Sequence, residues 1–391
     1  MNTPAMPGRQ RIMAALFLLG CLALGVLFCK IEYNPSFGAR IDFTRFHYPT
    51  IEQFRTLDFF AFLREMNTAS GPLYYALMGS TPMGPDSIRI STLLLHVMST
   101  GLVWWLAYRR LGATAWPWLL AGAFYFSPFQ LGPALWGHPE TLATLLVFLA
   151  LWLHTQGFVA TASVLSALSV TSRQTAIAIL GGLGLWDLQQ GRFKNLALKM
   201  ALAGAMLLAL VYHWHGLTPP KFQDHMAVSG RTFLVSMAMM GLALFNWKLL
   251  PTRTSWRPLL LVWLILLPVC LIAYNASIHF DRGGFIFSIL DKMDAQRWGW
   301  CLSSPVILSG ILALCVPPLR EDPMTALTLL GLSATLAISN VFYIKYVDFY
   351  IWPLALSMFA FAAHQDARLI TLTKSLAAWS VVNLALVSLR Y

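Results

Sequence analysis

The chain has 391 residues, of which 58% are hydrophobic and only 11% charged, and it carries a formal net charge of +11. That balance excludes an ordinary soluble globular domain, in which charged residues make up about a quarter of the total. The basic excess does not point to nucleic acid as a partner, because no basic stripe, zinc-finger spacing or recognition module accompanies it.

Apolar runs recur along the whole length, and a spanning helix needs roughly 20 such residues. In chain order they predict spans near residues 12–30, 88–108, 114–128, 139–154, 158–170, 174–187, 196–213, 231–247, 257–276, 302–317, 324–342, 348–363 and 371–389. The fold class is therefore all-α, a polytopic transmembrane helical bundle of about 11 to 13 spans, with residues 1–391 as one integral-membrane domain and no internal repeat. The first run reads as an uncleaved anchor: Leu18 to Cys21 resembles a lipoprotein cleavage box, but the apolar stretch continues to Phe28.

Orientation follows from the short links. Arg9 and Arg11 precede the first span, and Arg109 and Arg110 follow the second. Later links hold Arg192, Lys194 and Lys199, then Lys248, Arg253 and Arg257, then Arg320, then Arg368 and Lys374. Simple alternation puts all of these on one side, which the bias of lysine and arginine makes the cytoplasmic one. Sorted this way, 13 of the 27 basic residues but only four of the 16 acids lie inside, so the net charge is mostly topological.

The outer acids are the more telling charges, since carboxylates contribute little to orientation and are costly near lipid without a use. The largest outer segment, residues 31–87, holds Glu32, Asp42, Glu52, Asp58, Glu65 and Asp86 among Arg40, Arg45, His47, Arg55 and Arg64. Within it, apolar positions from Tyr48 to Met66 recur at helical spacing and predict an amphipathic helix along the membrane surface. A second interfacial helix is predicted over Gly71 to Met78, where Pro72 suits a first turn.

Further along, Trp136 to Thr141 (WGHPET), Trp214 to Arg231, Ser277 to Trp300 (with His279, Asp281 and Arg282) and the link holding Lys345, Tyr346 and Asp348 open onto the same outer face. Between Thr171 and Thr175 the chain reads TSRQT within an otherwise apolar stretch, flanked by two spans that are each short for a crossing. A half-length pair holds Arg173 and Gln174 below the outer surface, where irregular backbone is tolerated only if it lines a polar cavity.

Other conspicuous residues have plainer readings. The five cysteines lack metal-ligand spacing and read as small core residues. His213 and His215 flank Trp214 at a span end and read as an interface belt. Trp104, Trp105, Trp116 and Trp118 read as anchors, and Gly181, Gly182 and Gly184 as helix-packing positions. With no H-E-x-x-H run or P-loop, neither a metal nor another cofactor is expected.

An outward cavity that combines carboxylates, guanidinium groups and histidine can bind an anionic group and deprotonate a hydroxyl. Arginine suits phosphate because its fork donates two parallel hydrogen bonds. A carboxylate within hydrogen-bond reach of an acceptor hydroxyl can serve as base. These are the requirements of sugar transfer from a polyprenyl phosphate, with base and leaving phosphate on opposite faces of the anomeric carbon, so that configuration inverts.

At this point the residues meet a resemblance. Phe46 to Pro49 (FHYP), Glu65 to Tyr75 (EMNTASGPLYY), His138 to Thr141 (HPET), Arg173 to Thr175 (RQT) and Ser277 to Phe285 (SIHFDRGGF) follow, in order, blocks similar to those of the dolichyl-phosphate-glucose-dependent alpha-1,2-glucosyltransferases. That family belongs to the multi-spanning GT-C glycosyltransferases and adds the terminal glucose of the lipid-linked N-glycan precursor. The resemblance covers roughly the first three quarters of the chain, as short islands. It implies that Glu65 matches an acid upstream of Pro72 and that Glu140 matches the acid of the HPET block. The family's acid four positions before the histidine of the first block falls here on Phe43, with Asp42 one step further away. Lys345 to Leu356 resembles the basic-aromatic opening of a late GT-C span, whose basic residue meets the donor phosphate.

The expected function is an inverting, polyprenyl-phosphate-sugar-dependent glycosyltransferase acting on a glycan or lipid-linked acceptor at the outer membrane face. Asp42 or Glu65 is the expected base. Arg173, Arg282 and Lys345 are expected to hold the donor phosphate, and Arg45, His47, Glu140, Gln174 and Asp281 to bind substrate. Short outer loops with few cysteines favour a bacterial inner membrane with the site facing the periplasm; in a eukaryote the corresponding place is the endoplasmic reticulum membrane. A lipid-linked sugar transporter or flippase and an O-antigen-type polymerase are the alternative classes.

Overall fold

The computed structural model describes residues 7–36, 38–225, 229–244, 256–275, 289–292, 303–320, 344–361 and 366–388. All regular secondary structure among them is helical. After the long α1 (Gly8–Lys30), the segment expected on the outer side folds as α2 (Ala39–Asp42), a π-helical turn (Phe43–His47), α3 (Tyr48–Thr56), α4 (Phe59–Glu65) and α5 (Leu73–Gly79). Then come α6 (Pro85–Leu111), α7 (Trp116–Phe126), α8 (Pro128–Leu135), α9 (Pro139–Thr155), α10 (Val159–Ser172), a 3-10 turn (Gln174–Ala176), α11 (Ile177–Gln189) and α12 (Phe193–Trp214). The remaining helices are α13 (Gly230–Leu244), α14 (Trp256–Asn275), α15 (Ser303–Arg320), α16 (Ile344–Phe361) and α17 (Asp366–Ser388). The expected span at 324–342 lies outside the described residues.

Among the described residues, four helices, within α1, α6, α12 and α17, are long and apolar enough to cross a membrane, and α8 with α9 makes a fifth if their 117° bend lies within one span. The outward faces agree with a lipid surround. Ile12, Leu16 and Leu19, spaced along one side of α1, are 61–63% exposed, and α14 turns Leu261, Ile265, Val269 and Ile272 outward in the same way. Apolar faces this continuous are covered by lipid or by partners, not water.

Local sequence explains the best-formed helix ends. α6 opens with Pro85 after Gly84, carries Asp86 in its first turn and Arg109 and Arg110 in its last, and stops at Gly112 with φ +65°. The acid and the bases each complement the helix dipole at their end. Arg110 also donates to the carbonyls of Phe359 (2.7 Å) and Ala360 (3.3 Å), closing the end of α16 beside the end of α6.

The outer segment differs from its sequence reading. The single amphipathic helix expected over Tyr48 to Met66 is two, because Asp58 caps α4 by accepting from the Phe60 and Ala61 amides at 3.0 Å each. The second expected helix starts at Leu73, with Pro72 at the cap position. Arg55 ties the layer together, donating to Glu52 and to the carbonyls of Thr81 and Met83. Arg89 is buried: it donates to the carbonyls that end α1 (Cys29) and α8 (Leu135), and it stacks 4.0 Å over Trp136.

Beneath this layer the apolar side chains form two main clusters. One joins the outer segment to α6, α8 and α12 through Phe43, Ile51, Phe62, Tyr74, Trp136 and Trp214. The other fills the bundle around Phe124, Phe148, Leu180, Tyr274 and Trp352. Cys21, Cys29 and Cys270 are buried, as expected of core cysteines. Trp104 also packs inside, stacked on Tyr108 and tilted against Trp118, rather than standing at the surface as a simple anchor.

Candidate functional site

Two interrupted helices meet under the outer segment. α10 and α11 have 14 and 13 residues, each about 20 Å at 1.5 Å per residue and short of the ~30 Å hydrocarbon core. They break at Arg173, whose backbone is extended (φ −143°, ψ 109°). The bend between α8 and α9 lies at Gly137, whose φ of +64° suits a residue without a side chain. An added Cβ there would also stand 2.8 Å from the Phe43 ring.

The outer segment docks onto the first break through its own backbone. Gly71 donates its amide to the Ser172 carbonyl at 3.0 Å, and the Ser172 hydroxyl donates to the Pro139 carbonyl at 3.1 Å, so the loop before α5, the end of α10 and the start of α9 are held together. A Cβ on Gly71 would lie 2.1 Å from the Thr171 carbonyl oxygen. Gly71→Ala is therefore expected to destabilise this docking by about 1–3 kcal/mol, as overpacking against an unyielding neighbour does. A lower thermal midpoint and faster protease cleavage within residues 67–72 would check it; an unchanged protein would show that the loop is not held here.

This docking brings side chains from four places in the chain together. Arg173 donates through Nη1 to Ser70 Oγ at 2.9 Å, and its Nη2 lies 3.4 Å from Glu140 Oε1. Their side chains are only 14% and 9% exposed, so the pair is largely buried and not at the surface. Glu140 Oε2 is 3.8 Å from His138 Nδ1. His138 donates from Nε2 to the Ala39 carbonyl at 2.9 Å, and its ring lies 4.3 Å from that of His47. His47 Nδ1 is 2.8 Å from the Tyr75 hydroxyl, which donates to Thr68 Oγ1 at 3.1 Å. Burial pushes the Tyr75 phenol well above its ordinary value, so it stays a neutral partner. Glu140 stands in the first turn of α9, where the helix dipole favours its charge.

Beside Arg173, the Gln174 side-chain amide nitrogen and the Thr175 hydroxyl are buried with no hydrogen-bond partner among the described residues. Each such group costs about 1–3 kcal/mol unless something bonds to it.

Of the expected site residues, the structure brings Arg173, Glu140, His47 and Gln174 to one place. Asp42 and Arg45 are nearby in the chain, Asp42 half-buried at the end of α2 and Arg45 exposed on the π turn. Bonding in that turn runs from i to i+5, so positions 42 and 47 stand one turn apart, as i and i+4 do in an α-helix. Phe43 turns inward, 3% exposed. Glu65 is 59% exposed and paired with Lys221 Nζ at 3.3 Å. Asp281, Arg282 and the Lys345 side chain lie outside the described residues, although position 345 stands in the first turn of α16.

Sequence reasoning did not single out Ser70, Tyr75 or His138 as site residues. All three lie within the blocks that carried the resemblance, which was the available signal. Asp348 is not at this site: it is fully buried, accepting from Trp379 Nε1 (2.7 Å), Gln130 Nε2 (2.9 Å) and Ser127 Oγ (3.0 Å) where α7, α8, α16 and α17 meet.

No protein-family model matches the chain, and a search of curated proteins finds no match to it either.

Proposed function

We propose that the protein is an inverting glycosyltransferase of GT-C type that transfers a sugar from a polyprenyl phosphate to a glycan or lipid-linked acceptor at the outer face of its membrane. The observation that carries this reading is the convergence of Arg173, Ser70, Glu140, His138 and His47 in one recess at the break between α10 and α11. A buried guanidinium with a serine and a carboxylate on its two amino groups offers a preformed fork for a lipid-borne phosphate. Gln174 and Thr175 supply polar atoms with bonds still to make, suited to sugar hydroxyls.

In this mechanism Asp42 takes the proton of the acceptor hydroxyl, whose oxygen bonds to the anomeric carbon. The bond from that carbon to the phosphate oxygen breaks, and polyprenyl phosphate leaves on the opposite face carrying the electron pair. Arg173, with Arg282 and Lys345, holds the leaving phosphate. His47, Glu140, Arg45 and Asp281 line the sugar side. The remaining helices complete a bundle of 11 to 13 spans, and the site faces a bacterial periplasm.

The π turn favours Asp42 over Glu65 as the base. Asp42→Asn is expected to lower transfer at least about 100-fold, within the range for losing a general base. Glu65→Gln, removing an exposed pair worth roughly 0–1 kcal/mol, is expected to change it by less than about fivefold. Rates with saturating donor decide between them; the reverse result would assign the base to Glu65.

The function itself is tested with protein reconstituted in liposomes and supplied with radiolabelled polyprenyl-phosphate sugar. Transfer to an acceptor without preassembled repeat units supports the proposal. Label carried across the bilayer without transfer would make the protein a transporter, and transfer only of preassembled repeats would make it a polymerase.

A further inference from the structure

We propose that His47, His138 and Glu140 together form a binding site for one divalent transition-metal ion, zinc in the first instance. One donor atom from each residue lies within 4.8 Å of the others, and all three residues are buried. Across a tetrahedral zinc ion with bonds of about 2.0–2.2 Å, ligand atoms stand about 3.4 Å apart. The 3.8 Å between His138 Nδ1 and Glu140 Oε2 is already near that separation, and the His47 donor atom lies within 4.8 Å of both.

The surroundings orient both rings for this role. A backbone carbonyl can only accept, so His138 carries its proton on Nε2, toward Ala39, and Nδ1 is the nitrogen that can coordinate. The Tyr75 hydroxyl spends its proton on Thr68 and accepts from His47 Nδ1, which makes Nε2 the coordinating nitrogen of His47. Metal-bound histidines are held in this way, with the second nitrogen donating to a carbonyl or another fixed acceptor. Two imidazoles and one carboxylate suit zinc, whereas magnesium and calcium prefer an all-oxygen shell.

Three protein ligands leave a fourth position open, and Arg173 contacts one of those ligands, its Nη2 3.4 Å from Glu140 Oε1. An ion here would place a second positive charge beside the guanidinium, so His47 and Glu140 would meet an anionic substrate through the metal. This departs from the sequence expectation of no metal. Ion binding also does not depend on the transferase reading, since it can be measured without any sugar donor.

The experiment uses the full chain, purified without a histidine tag, freed of metal with a chelator and titrated with Zn2+ by calorimetry; Co2+ replaces it for absorption spectroscopy. The expected result is one ion per chain and a visible Co2+ spectrum of four- or five-coordinate type. His47→Gln, His138→Gln and Glu140→Gln should each weaken Zn2+ binding at least about 100-fold, and Tyr75→Phe, which removes an orienting partner, by about 10-fold. His213→Gln serves as a control that keeps full affinity. Absence of saturable one-to-one Zn2+ binding by the wild-type chain would overturn the proposal whether or not the variants fold, and so would affinity unchanged in all three ligand variants.

Discussion

Arg173→Ala is expected to lower sugar transfer by roughly 100- to 1,000-fold, or more, which corresponds to about 2.7–4 kcal/mol of lost transition-state stabilisation for a donor aimed at developing negative charge. The residue interrupts two helices with an extended backbone and holds its guanidinium, 14% exposed, between Ser70 and Glu140. A purely structural arginine would predict something else: loss of folded protein in proportion to loss of activity, because the buried Glu140 would lose its guanidinium partner. Activity is therefore to be measured per folded molecule, with insertion and thermal midpoint recorded in parallel. Arg173→Lys separates charge from shape. A lysine keeps the charge but cannot present a planar fork, so it should restore only a small part of the rate. Full turnover by correctly folded Arg173→Ala would remove the residue from the site and take the phosphate-binding reading with it.

Much of this arrangement was legible in the sequence, and the reasons are physical. Composition and apolar runs gave α1, α6, α12 and α17 because lipid imposes a length and a polarity on any segment within it. The Thr171–Thr175 break was legible because an arginine and a glutamine are expensive there unless they are bonded, and Arg173 is indeed bonded to Ser70 and Glu140.

Other features depended on contacts that local sequence does not carry. The π turn at Phe43–His47 shifts the helical register there by one residue, and nothing in FTRFH announces it. The Ala39 carbonyl and the Tyr75 hydroxyl, which fix how the His138 and His47 rings sit, come from elements distant from them in the chain. The split at Asp58 could have been read: an aspartate before an apolar run is a helix start, and the longer hydrophobic periodicity concealed it.

Lys199 shows the same limit and carries the largest expected effect on stability. Counted by topology it is one more cytoplasmic base; in the structure it is 1% exposed, on α12, with its ammonium on the fully buried carboxylate of Asp187 near the end of α11. His154 Nε2, at the end of α9, lies 3.4 Å from the other Asp187 oxygen. Removing one partner of such a pair strands a charge away from water and is expected to cost about 3–5 kcal/mol, whereas replacing both with apolar residues is often neutral or stabilising. Lys199→Met and Asp187→Leu should each lower stability substantially, the lysine change by about 3–5 kcal/mol. The double variant Lys199→Met/Asp187→Leu should recover most of that loss. Denaturation in mild detergent reads the cycle; two single effects that simply add would show that the groups do not depend on each other. The cluster lies at the far end of α11 from Gln174, a helix of 13 residues and about 20 Å. Transfer per folded molecule should therefore be unchanged in all three variants, which is the result that separates a brace between α9, α11 and α12 from the chemistry proposed around Arg173.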